Sequence, residues 1–158
     1  MACPEPNHPG IRVLHEKTFP TGKASFNFVE WKEPAELPDG EYPLILNIDR
    51  ILYHYNGSSM TRRCKVPMEM APSPFIELNP KDAEKLNLKE GEKVRVTNRR
   101  ASVVVPVKVS NRIKEGEGHM VFHYPEAPGN ILLNDQPQDP FCKIPQFRMC
   151  TVRIEKYD

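Results

Sequence analysis

The sequence predicts a small β-barrel with few helices. Three observations predict it. Short stretches alternate apolar and polar residues, as barrel walls do; glycine- and proline-rich turns separate them; and one short segment carries the signals of a helix. At 158 residues the chain is long enough for one domain with an extended arm.

The arm covers residues 1–40 and the barrel domain residues 41–158. Within the arm, Ala24-Ser25-Phe26-Asn27-Phe28-Val29-Glu30-Trp31 alternates and reads as a half-buried strand. The stretches before Pro20 and from Pro34 to Gly40 read as irregular. The lone Trp31 reads as an anchor onto a neighbouring domain. Pro43-Leu44-Ile45-Leu46-Asn47-Ile48 is a short buried strand. Phe75–Leu78 is the next. Asn79-Pro80 then starts a helix, with asparagine as N-cap and proline at the first helical position, and Lys81–Leu88 supplies about two turns. Lys89–Glu92 turns the chain into Lys93–Thr97, which alternates. Asn98–Arg100 turns it again into Ala101–Val109, and Ile113–Gly118 turns it into His119–Tyr124. Cys150–Glu155 is the last strand. Seventeen prolines, gathered at residues 4–43, 67–80 and 125–145, mark ordered connections and oppose long helices.

Composition excludes several classes. Lys plus Arg is 22 against 21 Asp plus Glu, so no net field draws in nucleic acid or membrane. No apolar run approaches the roughly 18 residues of a membrane helix. Met1-Ala2-Cys3-Pro4-Glu5-Pro6 lacks the features of a signal peptide, so a cytoplasmic location is expected. Cys3, Cys64, Cys142 and Cys150 show no C-x-x-C spacing. The five histidines form no H-x-x-x-H pair on a helix; His119 and His123 have that spacing, but in a segment that reads as a strand. Neither disulfides nor a metal site are expected from them.

Arg50-Ile51-Leu52-Tyr53-His54-Tyr55-Asn56-Gly57-Ser58-Ser59-Met60-Thr61-Arg62-Arg63 carries the strongest functional signal. A buried strand runs into a loop dense in guanidinium, imidazole and hydroxyl groups, which suits a polyphosphate or a polar heterocycle. His54 reads either as a ligand contact or as a satisfied core histidine. Arg50 reads as a ligand contact or as the partner of Asp49. Ser58, Ser59 and Thr61 either bind or stabilise a turn. Arg62-Arg63 and Arg99-Arg100 read as solvated pairs.

These pieces together resemble the C-terminal domain of the molybdopterin-dependent oxidoreductases, the dimethyl sulfoxide reductase superfamily. The likeness is greatest to the catalytic subunit of formate dehydrogenases. The resemblance rests on the loop Asp49–Arg63; on Glu77-Leu78-Asn79-Pro80-Lys81-Asp82-Ala83 through Gly91-Glu92-Lys93-Val94-Arg95-Val96; on Ser110–Gly116 with Phe122-His123; on Asn130, Asp139-Pro140 and Ile144–Cys150; and on the arm at Cys3–Gly10. Asp49 stands where the family usually has glycine, and Asn98-Arg99-Arg100-Ala101 replaces its S-R-R-G turn. The replacement needs Asn98 to adopt a left-handed conformation.

The resemblance implies a six-stranded double-psi β-barrel with one or two short helices. It implies that the barrel covers molybdopterin guanine dinucleotide holding molybdenum or tungsten, without itself ligating the metal. Arg50, His54, Ser58, Ser59, Met60 and Thr61 are then expected on the pterin and pyrophosphate side. His123, Asn130 and Arg148 are expected to reach the cofactor from other loops. No catalytic residue is expected in this chain. The metal ligand and iron–sulfur centre would belong to a larger catalytic subunit or to upstream domains. The alternatives are a stand-alone barrel serving as an interaction module, as in N-domains of AAA+ ATPases, and a small component of a formylmethanofuran dehydrogenase-like enzyme.

Overall fold

The computed structural model describes residues 6–10, 13–146 and 148–157. Cys3 to Glu5 of the arm motif and Phe147 of the closing motif lie outside the described residues. Contacts divide the chain into two compact units, Met1–Glu33 and Pro34–Asp158.

The second unit is a closed barrel of six strands in the order β1-β5-β2-β4-β3-β6. These are β1 Leu44–Asp49, β2 Ile76–Leu78, β3 Lys93–Thr97, β4 Ser102–Val109, β5 Glu117–Val121 and β6 Met149–Lys156. β1 runs parallel to β5 with Ile45 opposite Glu117, and β2 runs parallel to β4 with Ile76 opposite Val107. The remaining neighbours are antiparallel. This is the double-psi barrel that the resemblance implies.

Alternation dictates the wall. In β3, Val94 and Val96 point into the barrel while Lys93 and Arg95 face out. Leu46, Ile48, Ile76, Leu78, Val94, Val105, Val107, Met120 and Val152 are almost wholly buried and fill the interior. β5 ends at Val121, before the sequence expectation of Tyr124, because the chain leaves the wall at Phe122 to enter a turn closed by Ala127 N–H donating to the Tyr124 carbonyl (3.1 Å).

Two short helices flank the barrel, α1 Lys65–Met70 and α2 Pro80–Lys85. Helix α2 starts as the sequence requires: Asn79 caps it by accepting from the Lys81 N–H at 2.9 Å, and Pro80 follows. It ends three residues short of Leu88. Asn87 takes a left-handed conformation (φ 53°) and stops the helix, so Leu88 turns back and buries itself. Helix α1 is the second of the one or two short helices that the resemblance allows, at a place that the sequence does not mark, because the prolines from residue 67 oppose a helix. Pro67 stands in the first turn, where its missing N–H is no loss.

Asn98 corrects a second expectation. It is not left-handed; its side chain supplies what the turn needs. Its Oδ1 accepts from the N–H groups of Arg100 (3.0 Å) and Ala101 (3.1 Å), and its Nδ2 donates to the buried Leu132 carbonyl at 2.6 Å. Asn98→Ala removes all three. A loss of about 1–3 kcal/mol is expected in chemical denaturation, since the half-buried N–H groups of Arg100 and Ala101 lose their acceptor. A change below about 0.5 kcal/mol would contradict this.

The first unit is described by itself. Phe19 and Gly22 exchange backbone hydrogen bonds around a tight turn, with Gly22 at φ 92°. The strand expected over Ala24–Trp31 does not form. The segment has no regular structure, and Phe26, Phe28, Val29 and Trp31 are exposed.

Candidate functional site

Three strand ends converge on one mouth of the barrel. β1 ends by delivering Asp49 and Arg50, β5 ends by delivering Phe122 and His123, and the chain enters β6 through Arg148. A cavity of about 230 Å³ opens there, lined by Ile48, Arg50, Asn56, Phe122, Asn130 and Arg148 among others. It gathers three of the residues nominated from sequence: Arg50, Asn130 and Arg148. Larger cavities exist, of about 820 Å³ within residues 8–18 and about 440 Å³ between Leu44, Leu86 and Ile154, but neither holds a nominated residue.

Local structure fixes each side chain. The Arg50 guanidinium stands 5.0 Å above the Phe122 ring. Among the described residues it has no carboxylate partner. Asp49 pairs instead with Arg148 at 2.9 Å. Arg148 sits at φ 88°, an uncommon conformation for a residue with a side chain, and its carbonyl accepts from the Ile48 N–H at 2.7 Å. Asn130 rides on a 3-10 turn, Gly129–Leu132. A Cβ on Gly129 would come within 3.3 Å of Ile48, so glycine lets this turn press against β1. The site therefore offers two guanidinium groups, two carboxamides and an aromatic face around a concave space. That donor set suits a phosphorylated, heterocyclic ligand.

The loop between Arg50 and Arg63 is held from beneath. Ser58 is fully buried in a left-handed conformation (φ 57°), and its hydroxyl donates to the His123 carbonyl at 2.5 Å. His54 is buried. Its Nε2 donates to the Ala71 carbonyl at 2.8 Å, which also accepts from the Tyr124 hydroxyl at 2.8 Å. Its Nδ1 lies 3.0 Å from the Thr61 hydroxyl, whose oxygen accepts from the Tyr55 N–H at 3.3 Å. Of the two readings open for His54 in the sequence, the satisfied core histidine describes its surroundings. His123 is also fully buried. The Ile51 N–H points at its Nε2 at 2.9 Å, and its Nδ1 faces the Asn56 carbonyl. A backbone N–H can only donate, so Nε2 is unprotonated and Nδ1 carries the hydrogen. Burial holds the ring's pKa below the ordinary histidine value, against the opposing pull of the Asn56 carbonyl.

The other nominated residues sit apart from the cavity lining. Ser59 and Met60 are exposed, and Thr61 is half-buried. Three members of the cation pairs meet carboxylates: Arg62 pairs with Glu126, Arg99 with Asp39 and Glu36, and Arg100 with Glu36, while Arg63 is exposed. Two lining residues carry weaker signals in the sequence. Asn56 precedes Gly57, a turn signal for a left-handed asparagine, and it does adopt φ 46°. Phe122 gives no signal separable from a core aromatic. Cys64 and Cys142 are exposed free thiols, while burial pushes the Cys150 thiol up to about 11 and keeps it inert.

A double-psi barrel with a cation-lined hollow at one mouth defines a binding domain for an anionic, ring-bearing cofactor. The sequence matches the family described as "Molydopterin dinucleotide binding domain" over residues 44–151. The chain belongs to that family, and the cofactor of such a domain is molybdopterin guanine dinucleotide. Among curated proteins it is 42% identical over 98% of its length to the F420-dependent formate dehydrogenase subunit alpha of Methanocaldococcus jannaschii, and 40% identical over the same share to the F420-dependent formate dehydrogenase 1 subunit alpha of Methanococcus maripaludis. It spans 23% of the length of each. Among solved structures, acetylene hydratase from Pelobacter acetylenicus superposes with a TM-score of 0.61 at 23% identity, over 73% of this chain and 18% of that one. The alternative of a stand-alone interaction module gives way to the cofactor-binding reading. No helix among the described residues is long and apolar enough to cross a membrane.

Proposed function

We propose that this chain is the cofactor-covering domain of a formate dehydrogenase-like molybdenum or tungsten oxidoreductase, and that it contributes neither the metal ligand nor the iron–sulfur centre. The observation that carries the proposal is the cavity that brings Arg50 and Asn56 of the β1–β2 connection together with Asn130 and Arg148 of the β5–β6 connection. Arg50 and Arg148 are suited to pyrophosphate oxygens, and the carboxamides of Asn56 and Asn130 to the donors and acceptors of a heterocycle. Ser59, Met60 and Thr61 form the loop's outer rim, against the same ligand. His54, Ser58 and His123 act from below by fixing the loop. When bound, the cofactor supplies the metal-centred redox chemistry; the chain's own residues bind, orient and shield it.

The partner in this reading is a larger catalytic subunit, or upstream domains of the same protein, carrying the iron–sulfur cluster and metal ligand. The formate dehydrogenase subunits that match this chain are more than four times its length, in keeping with such a partner. The location in this reading is cytoplasmic.

The test is a calorimetric titration of the chain with molybdopterin guanine dinucleotide beside GMP. The dinucleotide is expected to bind more tightly, though weakly in absolute terms, because a single domain leaves much of the ligand uncovered. Equal affinity for the two, or none for either, would overturn the proposal. The isolated chain is expected to show no formate oxidation with an artificial electron acceptor. Turnover above background would show that a metal-ligating group had been overlooked.

A further inference from the structure

Two backbone groups of the loop meet on one imidazole. Ile51 donates to Nε2 of His123, and the Asn56 carbonyl receives Nδ1 of the same ring. These residues lie on either side of the loop's first half. Arg50 immediately precedes Ile51, and Asn56 itself lines the cavity. The His123 carbonyl holds Ser58, the next left-handed residue. One buried residue thus sets three points of the loop, at Ile51, Asn56 and Ser58. We propose that His123 is the positioning residue of the cofactor loop, holding Ile51 and Asn56 only as the neutral Nδ1–H tautomer, so that acid releases the loop and weakens its grip on the dinucleotide. The link to the dinucleotide rests on the function proposed above; the latch itself does not.

The chemistry is one-sided. A protonated imidazole carries hydrogens on both nitrogens and accepts nothing. The Ile51 N–H would then face an N–H at a distance that now holds a hydrogen bond. No alternative acceptor for it stands among the hydrogen bonds of the described residues. The neighbouring His54 differs: the Thr61 hydroxyl beside its Nδ1 can either donate or accept. Charges around His123 reinforce the preference. Apart from burial, His54 and Arg50 disfavour the charged ring, while the Asn56 carbonyl and Asp49 favour it. Tyr124 lies across the cluster, edge-on to both rings, with Arg62 and Glu126 near it.

The direction follows. The folded ring binds its proton less readily than the free one. The latched state is therefore fully favoured above the unfolded value of about 6.5, and loses ground as pH falls from there toward the lowered folded value.

The experiment uses the whole 158-residue chain without cofactor. Long-range proton–nitrogen spectra report the tautomer of His123 directly. Amide exchange, corrected for intrinsic rates, reports Ile51 and Ser58 against Val94, Val105 and Ile154 of the barrel wall. Above pH 7 the Nδ1–H form is expected. On acidification below about pH 6, loop protection is expected to fall about tenfold while the wall stays protected. His123→Gln keeps an acceptor and a donor but cannot titrate, so its loop protection is expected to lose the acid step. The proposal is overturned by the opposite tautomer, by a protonated ring with loop protection intact, by loop and wall opening together, or by the same acid step in His123→Gln. If that variant does not fold, the wild-type spectra and exchange decide alone. Titration with molybdopterin guanine dinucleotide at pH 8 and pH 5.5 completes the test. Binding at neither pH sinks the proposed function and leaves the latch standing. Equal binding at both, with the loop released at pH 5.5, sinks the link between latch and cofactor.

Discussion

Replacing Glu36 with alanine is expected to lower the stability of the barrel by about 2–4 kcal/mol. The residue precedes the first strand, yet its carboxylate is only 12% exposed. It accepts from the Thr151 hydroxyl at 2.6 Å, the Thr151 N–H at 3.2 Å and Arg100 at 2.8 Å, with Arg99 at 3.4 Å. Truncation leaves Thr151, which is fully buried in β6, and both guanidinium groups without this acceptor. For a chain of this size the melting temperature should drop by roughly 5–15 °C. Burial alone would raise the Glu36 pKa, but the hydrogen bonds from Thr151 and Arg100 outweigh it and hold the carboxyl below its usual value. A carboxylate with a depressed folded pKa stabilises above its unfolded value near 4.3, and that contribution vanishes as pH falls through the folded value. Differential scanning calorimetry from pH 3 to pH 7 checks both points. The gap between wild type and Glu36→Gln should narrow toward pH 3. A melting point unchanged at pH 7 in Glu36→Ala would show that the carboxylate is no more than a surface charge.

The second large effect is expected at Arg50. Its guanidinium lies over Phe122 at the cavity with no carboxylate partner among the described residues, whereas Arg148 is already paired with Asp49. Arg50→Ala should weaken binding of the dinucleotide by at least about tenfold, the equivalent of about 1.5–3 kcal/mol for a hydrogen bond to a charged group. Lys81→Ala is the control. Lys81 sits on α2, where Asp82 accepts from Gly116 beside the start of β5, and the cavity lies where β5 ends. Calorimetric titration of both variants decides. Equal affinities would remove Arg50 from the binding surface.

The wall of the barrel was legible because it is half-buried. Val94 and Val96 inside, Lys93 and Arg95 outside, is the alternation that a sheet with one dry face imposes. The same alternation misleads at Ala24–Trp31. Alternation marks a strand only where a partner strand is available to receive it, and within its own unit this segment pairs with none among the described residues. Helix α1 was illegible because Pro67 weighs against a helix everywhere except in its first turn. At the site, the resemblance nominates Arg50, Asn130 and Arg148, but nothing local in the sequence says that they meet. Their meeting depends on β1 lying beside both β5 and β6, pairings between segments some seventy to a hundred residues apart, as with Ile45 and Glu117 or Asn47 and Met149. Phe122 and Asn56 are residue types that cores and turns use equally. His54 is readable in the sequence only as an ambiguity; the structure places it buried among Thr61, Ala71 and Tyr124.

Barrel closure sets a timetable for synthesis. β6 is the last of the six strands to leave the ribosome, and it pairs with both β1 and β3. Until it arrives, those two strands present bare hydrogen-bonding edges, and the valine-rich interior cannot be sealed. The residue that leads into β6 is Arg148, one of the two cations at the mouth. The barrel wall and the cavity proposed to hold the cofactor are therefore completed within the same stretch. Cofactor loading should then follow the emergence of β6, and a truncation before residue 148 would remove both the closing strand and this cation at once.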